Sequence, residues 1–577
     1  MSQVGRDTAG AGRNPARGSS ATGEIGRAFW GFLRAIGRLM RGQVVKRAGG
    51  PARARVIVMF AGVLALNGAD TATVGAVAPQ LEQSLHIGDA KIGVLSAVSL
   101  LVGAIFTLPV GLLVDRSKRM PLLAISVVLW SLATLFSAFA GSYSSLLLTR
   151  LLLGAVAATA GPAIASLTGD YFPANERGKI WAYILGGEVV GTAAGFIISG
   201  SLASLIDWRA AFVVLAIPGF FLARELWRTV PEPLRGGQSH LEPGVVDLEL
   251  AVQAASARAQ RGAGPAGSGE DDAADRAPEA AREAARRAGA VPNPKLVLHE
   301  DARKMPLVRS VKYILSVPSN LLMIIGSSLG FFYLAGLNTF ALLFVKGHYH
   351  ASQATAELVL AMLVLGAIVG TLAGGRVTDA MLHRGNLSAR VWFPALCYFG
   401  AAILLIPGFL GSHVMPALWF DVAGAALLAA ANPPIQAARL DIMPAGLWGR
   451  AESVRTFIRS TAQALAPLVF GGLAQLIAGI VPTQAPIGTR PHAPPSHEAT
   501  GLQITFLIAL ATLIAAGIVT ARARYTYAQD VASAAASEDW ADGEAPTAIA
   551  TPAETGDDTA VTVVQRSAPP RPSRRSR

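Results

Sequence analysis

Cysteine occurs once in the 577 residues, at Cys397. One thiol cannot close a disulfide within the chain or build a cysteine-based metal site, and it neither names nor excludes a compartment. Charge is also scarce. Asp, Glu, Lys and Arg make up 15% of the chain, against about a quarter in ordinary soluble domains. With 52% hydrophobic residues and a mean hydropathy of +0.45, this excludes an ordinary soluble globule. No Gly-x-x-x-x-Gly-Lys-Ser/Thr occurs, so direct drive by ATP bound to this chain is not expected. No His-Glu-x-x-His occurs either, and His348 and His350 fall in a loop; neither a zinc hydrolase nor another membrane enzyme is indicated. The first 55 residues hold eleven Lys or Arg against two acids and no central apolar run, which is not the pattern of a cleavable signal peptide. No cofactor and no metal are expected.

What the chain has is apolar runs of membrane-crossing length, roughly 20 residues. Six lie at about 56–79, 91–114, 120–140, 143–168, 178–204 and 208–228. Six more lie at about 318–345, 354–380, 389–410, 415–438, 451–479 and 502–522. Twelve spans place both ends on one side. The basic residues before 56, in DRSKR (115–119), ERGK (176–179) and ARAR (521–524), fall on that same side. Loops of the other side, such as AGSYSS (140–145) and GSHVMP (411–416), have no Lys or Arg. The positive-inside rule then makes both termini cytoplasmic, in a multi-pass protein of the cell membrane. The net charge of +12 is accordingly a topology signal, and nucleic acid is not an expected partner.

The expected domains are a basic cytoplasmic region 1–55, a six-helix bundle 56–228, a largely disordered cytoplasmic linker 229–317, a second six-helix bundle 318–522 and a disordered tail 523–577. Within the first, residues 23–45 place Phe29, Trp30, Phe32, Leu33, Ile36, Leu39 and Met40 between arginines 27, 34, 38 and 41. This is the pattern of an amphipathic helix lying on an anionic leaflet, with membrane lipids as partners.

The two sets of six repeat each other. GLLVDRSKR ends span 2 with Gly111, Asp115, Arg116 and Arg119, and GRVTDAMLHR ends span 8 with Gly375 and Asp379. Span 4 runs into Asp170, Pro173, Ala174 and Gly178; span 10 runs into Asp441, Pro444, Ala445 and Gly449 at identical offsets. Paired six-helix repeats are a mark of secondary transporters. On these residues the chain resembles the major facilitator superfamily. The superfamily's loop between spans 2 and 3 is matched by Gly111, Asp115, Arg116 and Arg119, with Lys118 where glycine is usual. Its loop between spans 4 and 5 is matched by Asp170, Pro173, Arg177 and Gly178, and its basic residue of span 4 by Arg150 with Gly154. The resemblance implies an all-α membrane protein of twelve transmembrane helices in two pseudo-symmetric bundles. It also implies that Asp115 latches onto the other half when the cytoplasmic side is closed, with Asp379 as its counterpart. VKYILSVPSN (311–320) and Asn67-x-x-Asp70 make the chain similar to the spinster-type branch of lipid and amphiphile carriers. Thr71 and Ala157 replace that branch's usual Arg and Glu. Gly191, Gly195 and Gly200 partly match the span 5 motif of drug–proton antiporters, with Phe196 and Ser199 replacing its Pro and Gly.

A charge at the bilayer centre costs at least about 2.5–3.5 kcal/mol, so deep ionisable residues call for a reason. Asp70 in span 1 and Arg150 in span 4 lie at depths that agree within roughly 3 Å at 1.5 Å per residue. They are expected to pair in a central cavity, the pair weakening when Asp70 is protonated or substrate binds; the alternative is a permanent staple between the two helices. Glu188, about ten residues into span 5, is the candidate proton carrier, or else a neutral, hydrogen-bonded Glu. Gly187, Gly191, Gly195 and Ser199 form a smooth packing stripe. In the second half Asn338, Asn432 and Gln463 are candidate polar contacts, and Phe332, Tyr333 and Phe340 candidate aromatic walls. Asn432-Pro433-Pro434 is expected to break span 10. Arg455 and Arg459, with Glu452 one turn away, are read as structural or gating. Asp421 is read as water-accessible. The function expected is proton-coupled alternating-access transport of a small organic, amphiphilic or hydrophobic molecule, with a non-transporting sensor or scaffold on the same fold, and a drug–proton antiporter, as alternatives. Oligomeric state, substrate identity and direction are left open.

Overall fold

The computed structural model describes residues 45–87, 89–235, 240–262, 280–480 and 496–541. The stretch 23–44 expected to be amphipathic, and the tail beyond 541, lie outside them. Among the described residues there is no strand. Twelve helices are long and apolar enough to cross a membrane: α1 Pro51–Ala76, α2 Lys91–Arg116, α3 Arg119–Ala138, α4 Tyr143–Tyr171, α5 Ala174–Leu205 and α6 Trp208–Thr229, then α7 Pro318–His348, α8 Leu358–His383, α9 Ala389–Leu410, α10 Val414–Asp441, α11 Ala445–Ile480 and α12 Ala499–Tyr525. The first six pack about two clusters of buried side chains and the last six about a third. We call the end bearing the 115–119 loop and the 229–317 segment the basic end.

Two helices break where their prolines require it. Pro162 lacks an N–H and crowds the carbonyl four residues back. That carbonyl belongs to Ala158, where α4 loses its regular turn, and the Thr107 hydroxyl approaches it at 3.5 Å. Pro433 and Pro434 break α10 at Ala431, as expected from sequence. Each break lies about three turns before the repeat-related Asp170 or Asp441.

Glycine sets how closely helices approach. A Cβ on Gly187, Gly191 or Gly195 of α5 would overlap Ala61, Ala65 or Ala69 of α1. One step further, Ser199 and Thr73 share a 2.8 Å hydrogen bond. The stripe read from sequence is therefore a contact within the first half. The second half has its own version, with Gly366, Gly370 and Gly374 of α8 against Val422, Ala426 and Ala430 of α10.

The linker and tail carry more structure than their composition suggests. Leu248–Gly262, Ala280–Arg287 and Leu307–Ser316 are helical, and so is Tyr527–Ala541 within the tail expected to be disordered. That tail helix docks through hydrogen bonds. Ser533 and Ser537 accept the backbone N–H groups of Asn293 and Leu298 at 2.8 and 2.9 Å. Asp530 accepts that of Ser319 at 2.9 Å, at the start of α7.

Candidate functional site

The paired Gly-x-x-x-Asp motifs close the basic end by one device used twice. Gly111 lets α2 press against Ser453 of α11, where a Cβ would overlap the Ser453 hydroxyl. One turn on, the buried Asp115 accepts the N–H groups of Gly449 and Arg450 at 2.9 and 3.0 Å. Those are unpaired donors in the first turn of α11, so Asp115 caps a helix of the other half, where the positive end of its dipole also favours a carboxylate. Arg450 Nε adds a charge-assisted bond to Asp115 at 2.8 Å. In the mirror arrangement Gly375 of α8 lies against the backbone of Gly178. Asp379 accepts the N–H groups of Gly178 and Lys179 in the first turn of α5, at 3.2 and 2.6 Å.

Arginines tie these caps together. Arg390 donates to Asp379 at 3.1 Å and also to Asp441 and the Ala174 carbonyl. Arg177 crosses between halves to Asp441 at 3.3 Å and lies 5.2 Å from the Trp448 ring centre. Arg119 binds Asp170 and, at 2.8 Å, Glu232, all within the first half. Arg116 is exposed and donates to the carbonyls of Arg303, Lys304 and Met305, so its hold is on the linker rather than directly on the second bundle. Arg390 and Arg450 were missed in the sequence. Arg390 stands to Asp441 as Arg119 stands to Asp170, and continuing the repeat one loop further reveals it. Arg450 carries no such mark, because its first-half equivalent, Lys179, bonds Asp379 through its backbone.

Asp70 and Arg150 do pair, with Arg150 Nη1 3.2 and 3.4 Å from the two carboxylate oxygens. The central-cavity placement is corrected: both are buried, at 3% and 1% exposure, inside the first bundle. Arg150 also donates to Ser137 of α3 at 2.7 Å and lies 5.0 Å from the Phe212 ring centre of α6. Thr134 of α3 approaches Asp70 at 3.4 Å. Four helices of one half close around the pair, which is the geometry of the staple.

Two opposite charges, one on each half, lie about three turns beyond the caps. Glu188 and Arg459 each stand ten residues past a capped glycine, Gly178 and Gly449, hence at a common depth of roughly 15 Å from the caps. They are equivalent positions of the repeat with opposite charge, and each lies within electrostatic range of the other. Both are half-buried. Neither side chain makes a hydrogen bond or ion pair among the described residues, and Arg459 Nε is buried without an acceptor. The Arg459 guanidinium lies 4.8 Å from the Phe331 ring centre. Toward the caps, Glu452 accepts from Arg439, from Arg455 Nε at 3.2 Å and from Thr456 at 3.1 Å. One acid there serves two guanidiniums, so this wall is net cationic.

The other candidates are not drawn into this layer by hydrogen bonds. Asn67 and Asn432 are half-buried and Asn338 is exposed. Tyr333 is wholly buried beside Phe470, 6.2 Å between ring centres, and is packing rather than a wall. Asp421 is not simply water-exposed: one carboxylate oxygen is buried without a partner against Gly408.

The sequence profile described as Major Facilitator Superfamily matches residues 59–467, most of the chain and both pairs of capping residues. The chain belongs to the Major Facilitator Superfamily. Among curated members, the 4-hydroxybenzoate transporter PcaK of Pseudomonas aeruginosa is 31% identical over 187 residues, 32% of this chain and 41% of that protein. Human protein spinster homolog 1 is 31% identical over 190 residues, 32% of this chain and 36% of that protein. The matches thus span about two fifths or less of those superfamily relatives. A crystal structure of a bacterial homolog of the human lysosomal transporter spinster, inward-facing and occupied, aligns with a TM-score of 0.53 at 20% identity, over 83% of this chain and 98% of that one. It establishes the shared superfamily fold.

Proposed function

We propose that the protein is a secondary transporter of the cell membrane, its basic end cytoplasmic, that moves a small organic anion with an apolar body together with a proton. The observation that carries this reading is the uncommitted opposition of Glu188 on one half and Arg459 on the other. Arg459 supplies a planar, permanently charged fork of donors suited to a carboxylate or phosphate, and Arg455, held by Glu452, adds positive charge nearby. Phe331, with Phe332 and Phe340 on the same helix, offers apolar surface for the rest of the molecule. PcaK, a relative named for a carboxylate, is consistent with such a cargo.

The coupling follows from charge. An ionised Glu188 competes with an incoming anion for Arg459. A proton on Glu188 removes the competitor, so proton and anion bind together. In this reading, with Asp115 and Asp379 capping α11 and α5, the layer is reached from the end opposite the caps. Release to the basic side requires both caps to break. Hydrogen bonds to charged groups contribute about 1.5–3 kcal/mol each, so closure of the opposite end around the cargo must offset several of them.

Binding of a carboxylate panel, with 4-hydroxybenzoate first, to purified protein at several pH values tests this. Affinity is expected to rise as pH falls, Arg459→Gln to weaken binding at least tenfold, about 1.4 kcal/mol, and Glu188→Gln to remove the pH dependence. Undiminished anion affinity in Arg459→Gln would refute the reading. Proteoliposome flux of the bound carboxylate then separates a carrier from a sensor.

A further inference from the structure

The basic end carries a cavity of about 590 Å³ that the transport path does not use. Its walls come from four parts of the chain: the α2–α3 loop, the segment after α6, the linker near Arg303, and Pro444–Gly446 at the start of α11, with Glu538 of the tail helix at its rim. Its size is that of small-molecule sites. Its charges do not cancel. Each of its carboxylates is engaged: Glu232 by Arg119, Glu538 by Arg282, Glu300 by Arg309, and Asp301 by Lys304 at 3.8 Å and the Arg303 N–H. Four lining cations, Arg116, Lys118, Arg235 and Arg303, have no carboxylate within ion-pair distance among the described residues. Arg235 is the most telling. Its Nη2 donates to the carbonyls of Val114 and Ser117 at 2.9 and 2.6 Å, while its Nη1 is buried without an acceptor. Burial, and then the neighbouring Arg119, pull its pKa below the ordinary arginine value. Such a guanidinium gains from an anion that supplies acceptors and charge.

We propose that this cavity binds a compact phosphate-bearing anion. Arginine forks and a lysine converging on one volume match the several acceptor oxygens and the charge of a phosphate group. The bound anion would bridge loops of both halves and the linker, and the Pro444–Gly446 turn leads directly to Gly449 and Arg450, the groups capped by Asp115. Occupancy therefore favours the state in which the basic end is shut. That consequence rests on the alternating-access reading; binding itself does not.

The chemistry is shared by free phosphates and lipid headgroups, so the test has two arms. In detergent, inorganic pyrophosphate is titrated against the purified full-length protein by calorimetry and thermal shift. It is expected to bind, to raise the melting temperature and to weaken with salt. Lys118→Gln combined with Arg235→Gln is expected to lose at least tenfold in affinity. Arg303→Gln, an exposed position whose folding is not at risk, is expected to lose severalfold. In nanodiscs of phosphatidylcholine with or without phosphatidylglycerol, competition by the anionic lipid against pyrophosphate identifies a headgroup as occupant, and unchanged pyrophosphate binding identifies a soluble phosphate. No pyrophosphate binding, or equal binding by wild type and Arg303→Gln, overturns the site. Failure of carboxylates to bind Arg459 bears on the function proposed above and not on this cavity.

Discussion

At the scale of single residues, the first bundle encloses an ion pair between four of its own helices. Arg150 and Asp70 are buried together with Ser137, Thr134 and Phe212 around them. Removing one partner of a buried pair strands the other charge and costs about 3–5 kcal/mol. Arg150→Gln is expected to lower the melting temperature sharply, and Asp70→Asn with Arg150→Gln to recover much of that loss. The pH profile of substrate binding is expected to survive in the double variant. A lost pH profile with intact stability would return the pair to the coupling machinery. The sequence made this pair legible but misplaced it. Counting residues from a helix end gives depth, and the depths matched; it gives no bearing around the helix axis, and the bearing points into the bundle. Glu188 was legible as a deep acid. Its counterpart Arg459 is read from sequence as structural or gating, because only the repeat register, followed ten residues past Gly178 and Gly449, reveals that the two positions are equivalent.

Among elements, the close packing of α1 on α5 follows from three glycines four residues apart meeting three alanines four residues apart. A side chain at the centre of that seam has nowhere to go, and overpacking costs typically about 1–3 kcal/mol. Gly191→Leu is expected to lower stability by at least that much, while Gly472→Leu in α11, where a Cβ meets nothing within 4 Å, is expected to change it little. Equal effects would remove the seam from the account. This stripe was readable because its period lies in the sequence itself. The tail helix Tyr527–Ala541 was not readable. Its composition is too polar to announce a core, and it is held by hydrogen bonds to residues more than 200 positions away. Asp530 gives that docking a pH signature. Burial, opposed by its bonds to Ser319, holds its pKa above the ordinary Asp value. The docked state therefore binds the proton more tightly than the released state. Docking is strongest below the ordinary Asp pKa and weakens as pH rises from there through the raised value. The protection of residues 527–541 against hydrogen exchange, corrected for the intrinsic exchange rate at each pH, is expected to fall over that range, and Asp530→Asn to remove the fall.

For the whole molecule, the two symmetric caps predict that opening of the basic end is a single event. Asp115 caps α11 from the first half, and Asp379 caps α5 from the second. If the halves move as rigid bodies, neither cap can break alone, and the free energies of the two locks act on one equilibrium. Losing Asp115 strips the Arg450 charge and two buried N–H groups of their carboxylate, about 3–5 kcal/mol in favour of the open state, or more than a hundredfold in population; losing Asp379 strands the N–H groups of Gly178 and Lys179 while Arg390 keeps Asp441, and shifts the equilibrium less. Ser453 reports on this directly. It is wholly buried against Gly111, and the chain's one native thiol, Cys397, is itself buried. In a Ser453→Cys background, labelling by a small water-soluble maleimide is expected to be slow. It should accelerate with Asp115→Ala and with Asp379→Ala, and with both together by about the product of the two factors. Asp379 caps α5, a different helix pair from the α2–α11 seam where Ser453 lies, so acceleration by Asp379→Ala is the informative result. Only a lock shared across the molecule transmits it. If Asp115→Ala alone exposes the introduced thiol and Asp379→Ala does not, each cap governs only its own helix pair, and rigid rocking of the two halves is wrong.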